Sequence, residues 1–256
     1  MKKLIAGNWK MSGSIDETLK RITEFRFKLK ELTNVDVLIA PPFTALYSAH
    51  VAIQETPFFL GAQDAFWETE GAYTGEISPA FLRDVGCQYV IIAHSERRRY
   101  FGETNETANK KIRTSLTQEL IPVYCIGETE EERDLGKTNE VLERQIKEGL
   151  EEISMFDLKQ FVIAYEPVWA IGTGKNATTG QVAEAHAFIR NSIAKRYDAP
   201  TANNIRILYG GSAKPTNAKE LLETRNVDGL LVGGASLVVD QFVKICQTAQ
   251  EIAKES

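Results

Sequence analysis

Eight short apolar runs punctuate the chain: LIAGNW from Leu4, DVLIA from Asp36, FFLGA from Phe58, YVIIA from Tyr89, IPVYCI from Ile121, FVIAYE from Phe161, IRILYG from Ile205 and GLLVGG from Gly229. The runs are continuous and do not alternate with polar residues, the pattern of strands covered on both faces. Between them lie segments at helical spacing. Ile15, Leu19, Ile22 and Leu29 share one face, as do Ala108, Ile112 and Leu116, and again Val182, Ala185, Ile189 and Ile193. Strand alternating with helix predicts βαβ units and a parallel sheet. No Pro/Gly/Ser-rich linker divides the chain, so one domain over residues 1–256 is expected. Eight units in 256 residues predict an α/β fold, a closed single-domain (β/α)8 barrel, whose usual size is about 250 residues. An open doubly wound sheet competes with it, but would want G-x-G-x-x-G after the first run, and none is there.

In such a barrel the chemistry sits where the strands end. The first run ends in Asn8 and Lys10, the fourth in His94, Ser95 and Glu96, and the sixth in Glu166. The seventh ends in Gly210, Gly211 and Ser212 and the eighth in Gly233 and Gly234. Glu166 follows an apolar strand and precedes Pro167, beside a segment with a hydrophobic middle and a glycine-rich end. A carboxylate dried by that segment becomes a stronger base. His94 stands where a helical turn, SERRRY, begins; a helix N-terminus favours the neutral imidazole. The glycine turns after strands seven and eight are the usual phosphate cradle of this architecture. Neither turn carries a basic residue, so neutral backbone dipoles are expected to hold the phosphate. A lone histidine is more often core and a lone glutamate more often solvated. It is their convergence on one rim that carries the reading.

Composition narrows the class further. With 30 basic against 35 acidic residues, a formal net charge of −5, a nucleic-acid partner is not expected. The ERRRY cluster at 96–100 reads as ion-pairing surface. Cys87, Cys125 and Cys246 are far apart and show no CxxC, which fits a reducing compartment; Cys125 reads as core packing. His50 and His186 fall in helical stretches and read as structural, and three scattered histidines make a metal site unexpected. No run approaches a membrane span, so a cytoplasmic protein without membrane contact is expected. The acidic stretch GETEEERDLGK at 127–137 reads as a solvated loop and helix start.

Five motifs in order resemble the triosephosphate isomerase family: AGNWKM at 6–11, GAYTGEIS at 71–78, AHSERR at 93–98, AYEPVWAIGTGK at 164–175 and YGGS at 209–212. The likeness covers the chain from end to end. It implies a TIM barrel enzyme of glycolysis and gluconeogenesis, cofactor-free and homodimeric, interconverting dihydroxyacetone phosphate and D-glyceraldehyde 3-phosphate through an enediolate. By the same resemblance Glu166 is the base, His94 the neutral electrophile, and Lys10 with Asn8 the polar side of the site; Glu96 is a carboxylate standing behind them. Gly172, Ser212, Gly233 and Gly234 are implied to donate backbone N–H groups to phosphate. Residues 167–175 are implied to be a lid whose closure bonds Ser212 and Tyr209 to backbone near Gly174 and Ala177. Residues 63–79 are implied to be the dimer loop, with Thr74 reaching the neighbouring site. Two positions depart from the family pattern: Ala93, where glycine is common, and Ala213, where a bulkier aliphatic residue is expected. Another phosphate-handling barrel enzyme, such as a Schiff-base aldolase, which would want a lysine inside a strand, is the nearest enzymatic alternative, and a non-catalytic barrel that only binds a phosphorylated ligand is the alternative from another class.

Overall fold

The computed structural model describes residues 1–172 and 175–255. Among them, eight parallel strands close into a barrel: β1 (Lys3–Asn8), β2 (Val35–Ala40), β3 (Phe58–Ala62), β4 (Tyr89–Ile92), β5 (Ile121–Ile126), β6 (Val162–Tyr165), β7 (Arg206–Tyr209) and β8 (Gly229–Val232). Each strand pairs with its sequence neighbour, and β8 closes on β1 with Gly7 opposite Val232. Helices ring the barrel: α1 (Ile15–Lys28), α2 (Leu46–Ile53), α3 (Pro79–Asp84), α4 (Ser95–Phe101), α5 (Asn105–Thr117) and α6 (Glu130–Asp134). They continue with α7 (Thr138–Gly149), α8 (Thr179–Arg196), α9 (Ala199–Asn204), α10 (Ala218–Glu223) and α11 (Val239–Glu255). Local chemistry starts them. Ser14, Thr104, Thr129 and Thr178 each form a reciprocal capping box with the residue three positions on, an arrangement worth roughly 1 kcal/mol per cap.

The strands explain why their sequences are continuously apolar. Leu4 and Ala6 of β1, Val123 and Cys125 of β5, and Val162 and Ala164 of β6 fill the barrel interior. Their neighbours Ile5, Tyr124, Ile126, Ile163 and Tyr165 pack outward against the helices. Both faces are dry, so neither can be polar. At the N-terminal mouth, the Arg206 guanidinium donates to Asp36 at 2.7 Å and to the Tyr89 hydroxyl at 2.8 Å.

Most positions expected on buried helical faces are buried, but Ile15 is not. It is 45% exposed, because it opens α1 beyond the reach of the barrel wall, and Phe25 fills the face instead. Leu19 and Leu116 are half-buried.

His186 on α8 is fully buried, with Nδ1 donating to the Asn226 carbonyl at 3.0 Å and the ring edge-on to Tyr165. Burial pushes its pKa down to about 4. The unfolded chain therefore takes up a proton near pH 6.5 that the folded chain refuses until about pH 4. Stability should fall as pH drops through this window, by roughly 3 kcal/mol in all. Denaturant titrations at pH 7 and pH 4.5 on the wild type and on His186→Gln check this. Equal pH slopes for the two proteins would remove the assignment.

Candidate active site

Where β1, β4 and β6 end, backbone phase sets which side chains face inward. Leu4 and Ala6 point into the barrel, and Asn8 follows at the same two-residue step. Val162 and Ala164 do likewise, and Glu166 is next. Strand β4 breaks this rhythm. Tyr89 and Ile91 point inward, but Ala93 packs with the outer cluster and has φ of +60°. That left-handed residue shifts the phase, so His94 turns to the cavity.

The departure at position 93 thus falls on backbone that favours glycine. A left-handed alanine costs roughly 1–2 kcal/mol, and the surroundings hold it there. The Ala93 N–H donates to Glu103 at 3.2 Å and its carbonyl accepts from Arg98 at 3.0 Å. Glu103 in turn pairs with Arg97 and Lys111, both of which also bind Asp64. The arginines of the ERRRY cluster are therefore partly structural. Ala93→Gly should raise stability by up to about 1 kcal/mol, the relieved strain less the added entropy of the unfolded chain. A glycine variant that unfolds at lower denaturant would contradict the strain.

Lys10 at the rim is left-handed as well, with φ of +51°. Its N–H donates to Asn8 Oδ1 at 3.0 Å, and its carbonyl accepts from Gln63 Nε2 at 2.8 Å. Gln63 also donates to Ala40 at 2.9 Å, so it staples the ends of β1 and β2 together. With Asn8 Oδ1 occupied, the amide of that residue is left to donate. The Lys10 ammonium lies 2.5 Å from Glu96, and a Cβ on Gly233 would come within 3.8 Å of it.

His94 caps α4, its Nδ1 accepting the Glu96 N–H at 3.2 Å. An accepting Nδ1 leaves the proton on Nε2, which lies 2.9 Å from Glu166 Oε1. The other oxygen of Glu166 accepts the Ser95 N–H at 2.8 Å. Burial pushes Glu166 up, but His94, the Ser95 N–H and Lys10 together hold it below the ordinary carboxylate range. Burial pushes His94 down, and contact with the Glu166 carboxylate raises it above its ordinary value. The base is parked in this structure. If it swings away from Ser95 and His94, the lowering contacts go and burial dominates both groups, raising the pKa of Glu166 and lowering that of His94.

Asn8, Lys10, His94 and Glu166 line one cavity of about 420 Å³. Gly172, Ser212, Gly233 and Gly234 line it as well. Among the described residues, the N–H groups of Gly233 and Gly234 carry no hydrogen bond, so they remain available to an anion. Gly210 has another use: its N–H binds the Tyr165 carbonyl at 2.7 Å, and a Cβ there would come within 2.9 Å of Glu166 Cγ. Glu96 does not line the cavity and acts on it through Lys10. Thr74 does not line it either; residues 68–76 stand exposed.

The segment after Glu166 begins with Pro167 and a 3-10 turn, Val168–Ala170. Its anchor differs from what the sequence predicts. Glu128, in the stretch expected to be solvated, is fully buried. It accepts from Trp169 Nε1 at 2.9 Å, Arg133 at 2.9 Å and the Tyr165 hydroxyl at 3.1 Å. The Arg133 guanidinium lies over the Trp169 ring at 4.7 Å, and the Val168 N–H donates to the Glu128 carbonyl at 3.0 Å. Three donors on one carboxylate have no local sequence signal; only "ER" on α6 and "YEPVW" after β6 hint at it. At the far end, the Tyr209 hydroxyl accepts from the Ala177 backbone, as expected. The expected bond of Ser212 near Gly174 lies outside the described residues. Cys125 is buried beneath the site with its thiol against Glu166.

The triosephosphate isomerase family model matches residues 3–249. A triosephosphate isomerase of Geotalea uraniireducens (strain Rf4) is 50% identical over 97% of this chain and 99% of its own length. One of Geobacter metallireducens is 52% identical over 93% and 95%, and one of Dictyoglomus turgidum 49% identical over 96% and 99%. A barrel built this way, matched along almost its whole length, belongs to the triosephosphate isomerase family.

Proposed function

We propose that this chain's isomerisation of dihydroxyacetone phosphate and D-glyceraldehyde 3-phosphate runs through Glu166 as base and His94 as electrophile. The observation that carries this is their shared cavity, with His94 Nε2 2.9 Å from the Glu166 carboxylate and Lys10 at its wall. Taking a proton from carbon beside a carbonyl needs a base on one side and a charge acceptor on the other. Glu166 leaves Ser95 to take that proton and return it to the neighbouring carbon. The Nε2–H of His94, the Lys10 ammonium and the Asn8 amide face the oxygens where negative charge develops; one preorganised donor of this kind is typically worth about 2.7–4 kcal/mol. Gly233 and Gly234 N–H groups, with Ser212 and Gly172, receive the phosphate. Residues 167–175 close over it and exclude water, which keeps the enediolate from losing phosphate. Glu96 holds Lys10 in place.

Two subunits complete the reading. Residues 68–76 project from the barrel with Tyr73 45% exposed, and Met11, next to Lys10, is 97% exposed. Exposed apolar groups on such a projection suit a second copy, with Thr74 reaching the neighbour's Lys10 side. Sedimentation as a single barrel would remove this part.

The test is incubation of the purified protein with D-glyceraldehyde 3-phosphate, excess chelator and D2O. Rapid conversion to dihydroxyacetone phosphate with solvent deuterium at carbon is expected. Binding without conversion by folded protein would leave a barrel that only holds a phosphorylated ligand.

A further inference from the structure

Two lysines line the cavity, Lys10 and Lys214, and their charges are not equivalent. Lys10 is paired with Glu96 at 2.5 Å. Lys214 is exposed and, among the described residues, has no ion-pair partner; its backbone N–H is fixed by Asn217 Oδ1 at 2.7 Å. Its place is two residues beyond Ser212, on the turn that faces the proposed phosphate end.

The charge balance makes this lysine matter. Glu166 contributes one negative charge, and Lys10 with Glu96 contributes none. Without Lys214 the cavity together with Glu96 behind its wall would present net negative charge to a dianion, in a protein whose net charge is −5. The turn after β7 holds no cation, as its sequence indicates, yet the chain supplies one just past it. We propose that Lys214 is the cation that draws the phosphate dianion into the site and sets the preference for phosphorylated over neutral trioses. It acts at a distance through its charge, and so differs from the backbone donors that touch the phosphate. This rests on the phosphate end assigned above.

A unit charge removed from the neighbourhood of a dianion, within about 10 Å, changes affinity by about three- to tenfold at low ionic strength, and by less than twofold near 0.5 M salt. Lys214→Gln should raise KM for D-glyceraldehyde 3-phosphate by that factor in ~10 mM buffer, with the difference closing as salt is added. The effect should fall on KM more than on kcat, and be smaller for neutral glyceraldehyde. Lys214→Arg should restore the wild-type KM. The Kd of inorganic phosphate, followed by thermal shift, should weaken in parallel. A Gln variant with wild-type KM, a shift that persists at high salt, or an Arg variant no better than Gln overturns the proposal. If the wild type does not turn over triose phosphate, the isomerase reading fails, and the phosphate titration still decides on Lys214.

Discussion

Glu166→Gln lowers kcat by about 10²–10⁴-fold, with folding nearly intact. The amide keeps the shape of the side chain and still accepts the Ser95 N–H that holds Glu166 in place. What it loses is the ability to take a proton. The neighbouring groups cannot replace it. His94 Nδ1 is occupied by the Glu96 N–H, Lys10 is paired with Glu96, and the thiol of Cys125 is pushed well up by burial. Steady-state assay of the variant, with a urea titration beside it, separates chemistry from stability. Turnover within tenfold of the wild type would falsify the role of this carboxylate.

The second large effect lies behind the base. Gly127 follows β5 directly beside Glu166, and a Cβ there would land on the Glu166 carbonyl oxygen. Neither partner can yield easily. The Glu166 N–H is bound to the Ile126 carbonyl at 2.7 Å, and Gln145 grips both the N–H and the carbonyl of Gly127, at 2.8 and 3.1 Å. Gly127→Ala therefore forces the ends of β5 and β6 apart. We expect a stability loss of about 3 kcal/mol or more, and about 10²-fold lower kcat in the molecules that still fold, since a misplacement near 1 Å suffices for that. Unchanged stability together with unchanged turnover would show that the two strand ends are free to separate.

How much of this was visible in the sequence depends on the range of the interaction. The apolar runs located every strand, because burial on both faces leaves an unbroken signature. The rim residues were visible because each closes such a run. Glu128 is hidden because two of its partners, Tyr165 and Trp169, come from a distant segment, and a glutamate inside EEE-like sequence looks solvated until the fold buries it. Gln63 is hidden inside the segment that resembles a dimer loop, although its amide staples β1 to β2. Ala93 stands out in the sequence as a departure, but its cost comes from a backbone angle that alanine does not announce. Ile15 was misplaced for the opposite reason: correct spacing, at a helix end the core does not reach.

The inward step of two that carries Val162, Ala164 and then Glu166 to the cavity has a bearing on how the chain can change length. One residue gained or lost within β6 would leave the carboxylate among the outer helices and bring a tyrosine or proline to the centre, with no intermediate that works. Gains and losses are thus confined to the connections between strands. There this chain can lengthen, shorten or acquire new contacts without disturbing the direction in which its base points.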